Sequence, residues 1–231
     1  MRIVNHSSYR PRGLDSLMSA INEAIGIQLG HVASAWGQVV WEIVDAANQQ
    51  GFEVALLDNE KQGSDYGYHD VSPHGRPYAR VFLDPILHNS GRWLQSELSV
   101  SATVSHEVCE MIGDPAANRW AQTARGALYA HELCDPVELN AYPVRLHSGK
   151  HVAVSNFIYP AWFNPYAPKR ARIDYMGVLE KPFHVARGGY AMRMSGGTIR
   201  NVYARDYPAW RKRWKRQIGA RARARRSYLD A

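Results

Sequence analysis

Strand-like and helix-like segments that alternate only loosely predict an α+β fold. Three observations carry this. Before residue 85, four short segments are rich in β-branched and aromatic residues. Two other segments, 14–29 and 96–113, space their apolar residues as helices do. A 231-residue chain that is 45% apolar can bury a sizeable core, and one domain is the simplest division.

The elements follow in order. In LDSLMSAINEAIGIQL, Leu14, Leu17, Ile21, Ile25 and Leu29 fall on one side of a helix, with Asp15 and Ser16 as capping candidates. HVASAWG (31–37) continues it or turns. QVVWEIVDA (38–46) and FEVALLDN (52–59) read as strands around the ANQQG turn. GYHDVS (67–72) and PYARVFLD (77–84) form a strand–turn–strand unit around PHGR. SELSVSATVSHEVCEMIGDP then predicts a helix over 96–113, opened by Ser96 and Glu97 and stopped by Gly113 and Pro115. Its buried side is assigned to Leu98, Thr103, Val104, Val108, Met111 and Ile112. GALYAHELCD (126–135) reads as a short helical piece that Pro136 ends. Two strands are expected within 142–159, around the SGK turn, and a proline- and aromatic-rich loop at 160–170. Beyond residue 172 the Gly pairs at 188–189 and 196–197 suggest an irregular extension. The expected organisation is a body over 1–171, this extension over 172–204 and a tail over 205–231.

Composition excludes several classes. The chain is too apolar for a disordered protein, and no apolar run is long enough for a membrane span. No signal peptide is visible, so a cytoplasmic or virion-associated location is expected, with no membrane partner. The two cysteines, Cys109 and Cys134, are expected to be buried, reduced thiols. Charge is uneven: residues 205–231 carry 10 Lys and Arg against 2 Asp, while the rest carry 18 against 19. Arg211, Lys212, Arg213, Lys215, Arg216, Arg221, Arg223, Arg225 and Arg226 therefore form a basic tail, interleaved with Trp210 and Trp214. Such a run suits a phosphate backbone, an acidic protein surface or a neighbouring subunit; the plainer reading is a solvated terminus.

The chemistry is concentrated in His106-Glu107-x-x-Glu110, followed by Glu132-x-x-Asp135. On a helix, positions i and i+4 differ by about 40° and lie one turn apart. His106 and Glu110 can thus share one cation, while Glu107 reaches a water beside it as general base. Glu132 is the expected third ligand. Asp135 would accept the free N–H of His106 and fix its tautomer. Asp114 is an alternative ligand or hydrogen-bond partner. Tyr129, His131 and Tyr159 are candidates to stabilise an oxyanion. His69 in GYHD could reach a cleft, but reads more simply as a hydrogen-bonded sheet histidine.

TVSHEVCEMIGDP, HELCDPVE and VSNFIYPAWF together resemble a set of uncharacterised bacterial and phage proteins of zincin-like type. Trp36-Gly37, ALLDN (55–59) and GYHD (67–70) extend the match over about residues 25–165. A weaker resemblance is to exordium-type proteins, and a more distant one to gluzincin metallopeptidases. The resemblance implies a mixed sheet packed on the active-site helix. It also implies His106, Glu110 and Glu132 as metal ligands, Glu107 as catalytic base and Asp135 behind the ligands. Glu110 stands where gluzincins have His, which leaves zinc as the first expectation and admits manganese or calcium. Two functions compete. One is a metal-dependent peptidase or amidase acting on a peptide or protein. The other is a catalytically inactive, metal-stabilised structural or virion-associated protein whose tail binds nucleic acid or a neighbour.

Overall fold

A computed structural model describes residues 1–37, 42–44, 50–59 and 66–207. The segment 38–46 expected as a strand falls largely outside the described residues, as does almost all of the basic tail.

The fold is α+β. Strands β1 (Arg2–Asn5), β2 (Glu53–Leu57), β3 (Gly67–Val71) and β4 (Pro77–Phe82) form a sheet in the order β1-β2-β4-β3. The first three in that order run parallel, and β3 returns antiparallel along β4 with His69 opposite Ala79. Helix α1 (Leu14–Trp36) extends through the 31–36 segment and ends on Gly37, whose positive φ suits a left-handed cap. Its N-cap is Gly13, not Asp15 or Ser16. Helix α2 (Leu83–His88) is short, and α3 (Val100–Gly113) carries the H-E-x-x-E run. Ser99 caps α3 by accepting from the Ala102 N–H, so the helix opens later than Ser96 and Glu97.

α3 packs on β3, β4 and α1, and on its other side meets β8 (His151–Ser155) of a hairpin with β7 (Ala141–Arg145). Sheet, helices and hairpin are thus stacked. Ile21, Ile25 and Leu29 of α1 and Val104, Val108 and Met111 of α3 join Val54, Leu56 and Val81 of the sheet in one core. The hairpin side is fixed by polar positions as well. Ser101 Oγ donates to Ala153 O, and Ser105 Oγ accepts from Ser155 N at 2.7 Å. Enclosed on so many sides, α3 buries all its residues except Thr103 and His106. Thr103, assigned to the buried side from its spacing, is one of the two that are not.

Residues 126–135 are not helical. They contain β6 (Leu128–Ala130), a loop, and the start of a 3-10 turn, Asp135–Val137. The reason is long-range pairing. β6 lies between β5 (Trp120–Gln122) and β9 (Tyr190–Ser195), and β9 pairs in turn with β10 (Thr198–Tyr203). So 172–189 lack regular structure, but 190–203 form a hairpin that turns on Gly196 and Gly197, both at positive φ. Ile173, Leu179, Ala186 and Ala191 share a core with Val137, Ile158 and Trp162, so packing is continuous across residue 171. No helix among the described residues is long and apolar enough to cross a membrane.

Candidate metal centre

The sequence of α3 places four chemistry-bearing positions within two turns. Thr103 and His106 face a cavity of about 40 Å³, and Glu107 lines it too. Such a volume holds a water molecule or two. Glu110 lies one turn below His106 and is fully buried. Its Oε1 is 3.1 Å from His106 Nε2 and accepts from the Asp135 N–H at 3.2 Å. Asp135 Oδ1 is 3.3 Å from the same imidazole nitrogen. Glu110 and Asp135 therefore face one nitrogen together, a ligand-like arrangement; Asp135 does not take the far side of the ring, where the sequence reading put it.

Glu132 and Asp135 reach the centre from a loop that is held on several sides. His131 N–H donates to Arg119 O, and Ile158 N–H to Leu133 O at 2.8 Å. Gly113, at the end of α3, lies so close to Leu133 that a Cβ there would collide with its side chain. Glu132 is buried, with Oε2 3.6 Å from His69 Nε2.

His69 is the residue that spacing alone left on the sheet. It is fully buried on β3, facing α3. Its Nδ1 is 3.4 Å from Glu110 Oε2 and 3.9 Å from Glu107 Oε2. Two sets of donors result among the described residues, His106–Glu110–Asp135 and His69–Glu107–Glu110, each with ligand atoms within 4.8 Å of one another. These buried groups can hold a metal ion. Glu132 belongs to neither set by that measure and sits behind His69. Asp114 is directed elsewhere: its carboxylate accepts from the N–H groups of Asn118 and Arg119 and organises the loop after α3.

Electrostatics fit a cation. Burial works against the charged His106 imidazolium, but Glu110 and Asp135 outweigh it and hold its pKa well above the usual range. Burial likewise works against the Glu110 carboxylate, and His106 and His69 hold it well below its usual value. Both shifts arise because imidazole and carboxylates face one another at close range, an arrangement that a cation could share. The donor set, one imidazole and carboxylates per position, fits a divalent ion.

Of the oxyanion candidates, Tyr129 packs against Trp162 and Phe183, His131 stacks on Phe163 at 4.1 Å, and Tyr159 lies over Phe157 and Arg172. The cavity is lined instead by Tyr66 and Tyr190. Cys109 and Cys134 are both free and buried. The chain matches no family model, no curated protein and no solved structure.

Proposed function

We propose that the protein is a divalent-cation-dependent hydrolase of amide bonds, a peptidase or amidase, with zinc or manganese as the working ion. The observation that carries this reading is the convergence of His106, Glu110 and Asp135 beside a cavity that His106, Asp135 and Glu107 line. A cation held by those three would lower the pKa of a water and polarise a substrate carbonyl. Glu107 Oε1 lies beside Gly67, and both residues line the cavity where a proton acceptor is needed. Glu107 takes the proton as water adds to the carbonyl carbon. It returns the proton to nitrogen as the C–N bond breaks. Tyr66 or Tyr190, each of which also lines the cavity, offers a hydroxyl to the oxygen that gains charge. Among the described residues β3 ends its sheet, and an extended peptide laid along it would run past the centre.

The test uses full-length protein stripped with chelator, reloaded with Zn²⁺ or Mn²⁺, and assayed on a library of internally quenched peptides. Wild type cleaves members of the library. Glu107→Gln loses about 10²–10⁴-fold in rate while keeping the cation held by His106, Glu110 and Asp135. Bound cation with no cleavage by wild type favours the metal-stabilised structural protein instead, and failure to bind either ion rejects both.

A further inference from the structure

Glu110 presents one oxygen to each of the two donor sets. Oε1 faces His106 Nε2 and Oε2 faces His69 Nδ1, at 3.1 and 3.4 Å. Oε2 is buried and makes no hydrogen bond of ordinary geometry among the described residues. Glu110 therefore stands between the two donor sets and belongs to both.

We propose that the centre is binuclear: two divalent cations bridged by the Glu110 carboxylate, the second held by His69 and Glu107. This deepens the hydrolase reading and rests on it for the first cation. A bridging carboxylate suits metals about 3.5–4 Å apart, the spacing of two-metal hydrolytic centres.

Charge supports the second ion. Glu107, Glu110, Glu132 and Asp135 are each no more than 4% exposed. Each donor set adds a carboxylate of its own to the shared Glu110, Asp135 in one and Glu107 in the other, so each can hold its own ion. The arrangement around His69 also follows. Its Nε2 lies 3.6 Å from Glu132 Oε2, so that carboxylate stands on the side of the ring away from Nδ1 and the proposed ion. Glu107 has Oε2 3.9 Å from His69 Nδ1, on the side of the second ion, and Oε1 beside Gly67.

The experiment is equilibrium loading of the stripped, full-length protein with Mn²⁺, and in parallel Zn²⁺, followed by elemental analysis and, for Mn²⁺, electron paramagnetic resonance. The expected result is two equivalents per chain. The manganese spectrum should be exchange-coupled, with hyperfine spacing half that of a lone Mn²⁺. His69→Asn should bind one equivalent and give an uncoupled spectrum, with the far-ultraviolet circular dichroism of wild type. One equivalent of either ion in wild type overturns the binuclear centre and leaves the hydrolase reading standing. No bound ion overturns both. Two equivalents without coupling overturns the Glu110 bridge. Should His69→Asn fail to fold, the wild-type stoichiometry and spectrum decide.

Discussion

His31, on the buried flank of α1, shows how a single residue couples this fold to pH. Its ring stacks on Tyr175 at 4.9 Å, and Nδ1 is 3.1 Å from the Tyr142 hydroxyl. Burial lowers its pKa below the ordinary 6.5. The unfolded chain therefore takes up a proton before the folded one as pH falls. Its contribution to stability is complete above 6.5 and is lost as pH drops below that value. Melting temperature measured between about pH 7.5 and 5.5 should fall more steeply in wild type than in His31→Gln. Equal slopes would show that the ring is solvated. Asp114 makes a different point at the same scale. Two turns after His106 it shares the helix face by spacing, yet it sits at the C-cap, where the backbone leaves helical geometry and the side chain turns to its own loop.

At the scale of elements, the close approach of β3 to α3 sets the site. A Cβ on Gly67 would lie 2.9 Å from both Glu107 Oε1 and Arg80 O. The carbonyl belongs to the paired strand and cannot yield, so Gly67→Ala displaces Glu107. We expect a stability loss of about 1–3 kcal/mol. Cation-dependent hydrolysis should drop further than that loss explains, checked by activity at a temperature where the variant is fully folded. The helix H-E-x-x-E was legible because two ligands on one turn leave a fixed spacing. The hairpin at 141–155 was legible from its turn. The 126–135 segment was not: Leu128 pairs with Met194 and Tyr129 with Arg193, and no local pattern announces a partner that far along the chain. His69 was hidden for the same reason. On a strand its side chain follows a period of two, and only the register of β3 against β4 turns it toward α3. Glu132 and Asp135 were recognised as a pair by spacing, but a helix would have put both on one face. The loop and 3-10 turn instead send Asp135 to His106 and Glu132 to His69.

Over the whole molecule, sheet, helices and hairpin enclose a centre with more carboxylates than imidazoles. Folding therefore carries an electrostatic cost that a bound cation would relieve. A ligand at about 100 times its Kd adds about 2.7 kcal/mol of stability. In a chain of this size each kcal/mol moves Tm by about 2–4 °C. Removing divalent ions with chelator should lower Tm by about 5–10 °C. Restoring Zn²⁺ or Mn²⁺ should recover it, and scanning calorimetry with and without chelator measures both. An unchanged Tm would mean that protons on the imidazoles already suffice. The near-complete enclosure of α3 also bears on redesign. If the protein is a hydrolase, changes of substrate preference are best sought outside that helix, at the exposed Glu97 of the cavity wall. There a side chain can be exchanged without disturbing the packing of three neighbouring layers, so the scaffold separates a tunable rim from an immutable floor.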